Sequence, residues 1–135
     1  MSRIAAMDAM VEGLAFLTEH GFTLLRAGES SSEASGRILS VEYVRATTSR
    51  CVALSYFPDR PSARASIRRT DDEFTFADAG PMSVREPSFA QFEGDGLDKL
   101  THYLRELRGE LSSRYLPILM GGAFENDAFD WSPHE

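Results

Sequence analysis

Three runs of alternating apolar and polar residues dominate the middle of the chain. They cover Arg37 to Thr47, Cys51 to Phe57 and Ala63 to Arg69, and short turn-forming segments separate them. Alternation at period two is typical of antiparallel strands that bury one face. A fourth, shorter run ends at Phe76. Together the runs predict a meander whose apolar face needs a cover and whose polar face can stand in water.

Two helical patterns flank the meander and can supply that cover. Apolar residues recur at helical spacing from Ile4 to Leu17. A second stripe of leucines begins at Asp95 or Gly96 and repeats every three or four residues. This second helix is expected to end or kink near Tyr115, because Pro117 lacks a backbone donor and disfavours helical geometry in the residue before it.

The connecting segments carry weaker signals. Phe22 to Leu25 reads as a short strand, and Met82 and Val84 as an extension of the sheet. The segment from Ala27 to Gly36 is rich in Ser, Gly and Glu and shows no apolar periodicity, so it is expected to be a mobile loop.

These patterns predict an α+β fold in a single domain over residues 1–135. Its antiparallel sheet has four or five strands, with an N-terminal helix and a long C-terminal helix packed on one face. A chain of 135 residues is long enough to bury a core without disulfides. The stretch from Ala123 to Glu135 mixes aromatic and acidic residues. It predicts a tail that either packs on the domain or acts as a recognition segment.

Composition narrows the function classes. The formal net charge is −7 and the sequence pI is near 5.0, which argues against nucleic acid as the partner. The single cysteine allows no internal disulfide and favours a reducing compartment. No apolar run approaches the roughly 18 residues of a membrane span, and the N-terminus does not resemble a signal peptide. We therefore expect a cytoplasmic protein that binds no membrane.

Motifs of catalysis and cofactor binding are absent from the sequence. It contains no glycine-rich phosphate loop, no nucleophile elbow and no paired-histidine zinc spacing. Cys51 has no protease or redox signature and is interpreted as a small hydrophobic residue of a strand. The sequence thus predicts no cofactor and no metal, and it favours a non-catalytic role over an enzyme.

A protein partner is the favoured expectation, and two surfaces are candidates for its binding. On the polar face of the meander the candidates are Glu42, Ser55, Phe57, Arg64 and Arg68. In the tail they are Phe129 and Trp131. The competing interpretation of the sheet face is an ordinary solvated surface with cross-strand ion pairs.

A small-molecule binder or an enzyme is the alternative. Its pocket would lie between the sheet and the segment from Gly80 to Gly96. The residues expected to line it are Tyr43, Tyr56, Phe89 and Phe92. A filled core between helix and sheet would count against this alternative.

Four short segments carry a family resemblance. They are Gly21-Phe22-x-Leu24, Val41-Glu42-Tyr43, Ala53-Leu54-Ser55-Tyr56 and Ile67-Arg68-Arg69. In this order they resemble small uncharacterised bacterial proteins, some of the toxin-immunity type, over roughly residues 10 to 80. The resemblance implies stoichiometric protein binding without catalysis. The chain is also similar to type III secretion chaperones in size, acidity and mixed helix and strand content, which implies a homodimer. Those chaperones usually interrupt their strands with a helix, whereas the strands predicted here are consecutive.

Overall fold

The predicted α+β class is confirmed. A computed structural model describes residues 3–34, 36–59, 62–69, 82–84, 92–113, 115–121 and 129–130, without the side chains of 3–4, 68–69, 82–84 and 129–130. Its α-helices are α1 (Arg3–Leu14), α2 (Gly96–Ser112) and α3 (Leu116–Leu119). Its strands are β1 (Thr23–Ser32), β2 (Gly36–Arg45), β3 (Arg50–Phe57), β4 (Ser62–Arg69), β5 (Met82–Val84) and β6 (Phe129–Asp130). Two 3-10 helices, Ala15–His20 and Ala46–Thr48, follow α1 and β2.

The sheet is an antiparallel meander in the order β1-β2-β3-β4-β5-β6. Strands β2, β3 and β4 correspond to the three alternating runs of the sequence, although β2 ends at Arg45, before Thr47. The short strand β5 contains Met82 and Val84, as predicted. With β6, the sheet has more strands than the four or five expected. The run that ends at Phe76 lies outside the described residues.

The prediction of a mobile loop from Ala27 to Gly36 is wrong. Most of this segment belongs to β1, which pairs with β2 from Thr23 opposite Val44 to Ser32 opposite Gly36. A register shift leaves one extra residue, Leu25, in β1. Backbone hydrogen bonds hold the strand, and these need no apolar side chains. The polar composition of the segment therefore reflects the exposure of its side chains and does not indicate a loop backbone.

Both long helices have the predicted limits within a few residues. The Asp95 carboxylate accepts a hydrogen bond of 2.9 Å from the backbone N–H of Asp98 and so caps the start of α2. Helix α2 ends at Ser112, and Pro117 lies in the first turn of the short helix α3, where its missing N–H is tolerated. None of the described helices is long and apolar enough to span a membrane.

The core lies between the helices and one face of strands β2 to β4. Cross-strand rows such as Val41, Leu54 and Ala65 place apolar side chains side by side on this face. Helix α1 and the 3-10 helix after it contribute Ala6, Met10, Leu14, Phe16 and Leu17. Helices α2 and α3, with the residue between them, contribute Leu100, Tyr103, Leu104, Leu107, Leu111, Tyr115, Ile118 and Leu119. The predicted cover of the apolar face is thus in place.

The opposite face of the sheet is less open than predicted. Val44 and Cys51 are paired there across β2 and β3 and are only 4% and 1% exposed. Ser66 on β4 is 5% exposed. The expectation that this whole face stands in water is therefore wrong near these residues. Cys51, interpreted from the sequence as a small buried or edge hydrophobic residue, is buried.

Candidate protein-binding surface

The strand register places the predicted sheet residues on one face, opposite the helices. Ser55 pairs directly with Arg64, and Phe57 lies two residues from Ser55 on the same strand. Glu42 belongs to the next row of residues, and Arg68 to the row after that. Neighbouring strands are separated by about 4.8 Å, so these residues occupy a continuous area. Their role in binding stays a prediction.

Exposure differs strongly among these residues. Arg64 is exposed, whereas Ser55 and Phe57 are half-buried. The Glu42 side chain is 16% exposed and forms an ion pair of 3.3 Å with Arg26 of β1, whose side chain is 64% exposed. The side chain of Arg68 is not described. The sheet face therefore offers one clearly exposed candidate, Arg64, and a carboxylate already paired with the neighbouring strand.

Strand β1 is the surface that the sequence did not indicate. It is the outermost strand of the sheet order, and all ten of its residues except Leu25 are exposed. Leu24, which pairs with Tyr43, is 45% exposed, and no residue of β1 belongs to the described core. The available signal was the cluster of Ser and Gly residues directly before the alternating run that begins at Arg37, since such clusters commonly bound strands.

An ion pair lies at the turn end of the hairpin formed by β1 and β2. The Asp59 carboxylate accepts hydrogen bonds from the Arg37 backbone N–H (2.9 Å), Nε (3.0 Å) and Nη2 (3.0 Å). These hydrogen bonds, the backbone one first, hold the pKa of Asp59 below its usual value. The hydrogen bond to Asp59 likewise raises the pKa of Arg37. The start of β2 is thereby tied to the turn that follows β3.

The tail is described only where it joins the sheet. Phe129 pairs with Val84 and Asp130 with Ser83, so β6 adds to β5 through its backbone. The side chain of Phe129 is not described, and Trp131 lies outside the described residues. Whether these two aromatic residues contact a partner stays a prediction.

Three of the four residues expected to line a pocket are described, and each lies in the core or packs against it. Tyr43 and Tyr56 are buried in the core, where burial raises the pKa of both hydroxyl groups. The Tyr43 hydroxyl donates a hydrogen bond of 3.2 Å to a backbone carbonyl of α1. Phe92 packs against the core and stacks on His102 with ring centroids 6.0 Å apart. Phe89, and most of the segment from Gly80 to Gly96, lies outside the described residues.

Comparison of the chain with protein-family models, curated proteins and solved structures found no match. In the described part of the chain, no three His, Cys, Asp or Glu side chains gather in a way that could hold a metal ion.

Proposed function

We propose that this chain is a non-catalytic protein-binding module, and that it binds an extended segment of a basic partner protein along the edge of β1 that faces away from β2. The observation that carries the proposal is the position of β1. It is a ten-residue strand at the end of the sheet order, exposed along almost its whole length and outside the described core.

An edge strand of this kind is suited to strand addition. Alternate backbone N–H and C=O groups of an edge strand point away from the sheet, where a segment of another protein can pair with them. Proteins that do not use such an edge usually shorten or cover it. The length of β1 allows several backbone hydrogen bonds, and the exposed Leu24 adds an apolar contact beside them.

The hairpin is held in a binding-competent geometry before a partner arrives. The pair of Arg37 with Asp59 ties the turn end of the hairpin to the turn after β3, and the pair of Arg26 with Glu42 joins β1 to β2 on the outer face. Exposed ion pairs of this type each contribute less than about 1 kcal/mol to stability. Their value here is preorganisation, since a strand that is already ordered loses less entropy on binding.

Charge supports the choice of a basic partner. The net charge of −7 attracts a cationic protein at long range and raises its association rate at low ionic strength. The toxin-immunity resemblance implies stoichiometric protein binding without catalysis, which agrees with a protein partner.

Adjacent proline substitutions test strand addition. Successive N–H groups of a strand point to opposite sides, so the N–H groups of Ala27 and Gly28 point one toward β2 and one away from it. Of the two variants Ala27→Pro and Gly28→Pro, one therefore removes an N–H bonded to β2. The other removes an N–H at the edge that faces away from β2. The partner is captured from native lysate, purified, and titrated calorimetrically against both variants. The variant that keeps its circular dichroism spectrum and thermal midpoint should lose binding at least tenfold, and partner binding should protect β1 amides from hydrogen exchange in the wild type.

Two outcomes would contradict the proposal. If the folded proline variant binds the partner with unchanged affinity and Arg64→Glu does not bind it, the binding site is the sheet face and not the edge of β1. A dimer in sedimentation analysis that the folded proline variant abolishes would make a second copy of the chain the occupant of the edge. Glu106→Gln, on the exposed side of α2, serves as the control that should change neither result.

A further inference from the structure

An open groove with a volume of about 290 Å³ lies between α1 and α2, away from the sheet. Its floor includes Ala9 and Gly13 of α1 and Leu104 of α2. The helices approach closely here, because a Cβ atom placed on Gly13 would lie only 3.1 Å from Leu104. The floor is therefore apolar and its shape is set by the packing of the two helices.

Charged side chains form the two walls of the groove. Arg105 and Arg108 lie three residues apart on α2 and so project from the same side of the helix. Glu12 stands on the wall formed by α1. All three are exposed, and among the described residues no ion pair within 4 Å engages any of them. The groove thus carries a local excess of positive charge on an acidic chain.

Arg108 is held at the groove by an aromatic ring. Its guanidinium carbon lies 5.2 Å from the centroid of the Phe16 ring, and Phe16 is itself only 8% exposed. A cation over a fixed ring loses part of its rotational freedom before any ligand binds. The entropy lost when an anion pairs with this guanidinium is correspondingly smaller.

We infer that the groove binds a small organic monocarboxylate. Its carboxylate group pairs with Arg105 and Arg108, whose planar guanidinium groups suit a carboxylate geometrically. Its short apolar body lies on Ala9, Gly13 and Leu104. Glu12 across the groove repels a second negative charge, so the site selects monoanions over dianions such as phosphate. This site is separate from β1, so a test of carboxylate binding is independent of the proposed protein partner.

Titration of the ¹⁵N-labelled full chain tests the inference, with hexanoate, acetate and inorganic phosphate as probes at low ionic strength. Hexanoate should cause saturable amide shifts confined to residues 9–16 and 101–108. It should bind about tenfold more tightly than acetate, because only hexanoate reaches the apolar floor. Arg105→Gln and Arg108→Gln should each weaken hexanoate binding about tenfold. Glu12→Gln should strengthen phosphate binding.

Arg26→Gln is the matched control, since it removes an exposed arginine on the far side of the fold and should leave hexanoate binding unchanged. All four positions are exposed, so the amide spectra of the free variants should remain those of the folded protein. Non-saturating shifts, or equal hexanoate affinity in the Arg105→Gln, Arg108→Gln double variant, would overturn the inference. Tighter binding of phosphate than of hexanoate by the wild type would overturn the monocarboxylate assignment.

Discussion

Strands β1 and β3 are both hydrogen-bonded to β2, one on each side, yet they differ in how far their side chains are buried. β3 is buried at Arg50, Cys51, Val52, Leu54 and Tyr56. β1 is exposed at all its residues but Leu25. Backbone pairing is therefore enough to form a strand, whereas the helices decide whether that strand contributes to the core. β3 therefore contributes buried side chains to the core on one side of β2, whereas β1 stays accessible to solvent on the other side.

The boundary between these regions follows the helices. Described core residues come from the helices, from strands β2, β3 and β4 and from connecting residues such as Phe22, and none comes from β1. Tyr43 of β2 still contacts α1 through its hydroxyl, so β2 is the last strand under the helical layer. A partner that pairs with β1 would consequently not need to displace any part of the described core.

Matched leucine truncations give the largest expected difference between the strands. Leu54 in β3 pairs with Val41 and is fully buried, whereas Leu24 in β1 pairs with Tyr43 and is 45% exposed. Leu54→Ala should lower the free energy of unfolding by about 2 to 5 kcal/mol because it leaves a cavity. Leu24→Ala should lower it by about 0.5 kcal/mol. Urea denaturation measures both, and equal losses would show that β1 is part of the cooperative core.

The same division explains what the sequence could predict. Strands β2 to β4 bury one face, and burial of one face is what produces period-two alternation. The leucine stripe of α2 arises in the same way at helical period. β1 is exposed on both faces, so no selection for apolar residues marks it, and its Ser-rich segment resembled a loop.

The candidate sites divide similarly. The common face of Glu42, Ser55 and Arg64 follows from strand parity alone, so the sequence was sufficient to predict it. The partner of Glu42 was not predictable, because Arg26 lies in the strand that was missed. The groove depends on how α1 and α2 pack together, and its charged residues, such as Glu12 and Arg105, are ordinary polar positions of each helix when read separately.

Two arginines on opposite sides of β2 should respond differently to substitution by methionine. Arg50 is 8% exposed, and its Nε and Nη1 donate hydrogen bonds of 3.0 Å to the carbonyls of Ile118 and Thr48. Arg50→Met should lower the free energy of unfolding by about 2 to 3 kcal/mol, because buried acceptors lose a charged donor. Arg26→Met removes only an exposed ion pair and should lower it by less than about 1 kcal/mol. Thermal denaturation of the two variants would contradict this reading if Arg26→Met had the larger effect.

Alkaline pH should weaken the covered side of the sheet through two buried tyrosines. Burial raises the pKa of Tyr43 and Tyr56 in the folded state. Stability from the un-ionised hydroxyls is therefore fully present below the unfolded-state pKa of about 10 and is lost as pH rises through the folded-state values. The loss is at most about 1.4 kcal/mol per pH unit for each tyrosine. Urea denaturation between pH 8 and about 11 measures it, and a profile left unchanged by Tyr43→Phe with Tyr56→Phe would contradict it.

The smallest expected effect distinguishes the hairpin from the core. Gly36 has a φ of +70°, and a Cβ atom placed on it would clash with the Asp59 carboxylate that binds Arg37. Gly36→Ala should therefore destabilise the hairpin by about 1 kcal/mol, a factor of about 5 in its opening equilibrium. Gly28→Ala, in the same hairpin, places its methyl group in open space and should have no such effect. Native-state hydrogen exchange separates the regions: in Gly36→Ala, amides of β1 should exchange faster while those of β3 keep their rates. An equal increase in the amide exchange rates of both strands would mean that β1 opens only when the whole domain unfolds. The hairpin would then be as stable as the core.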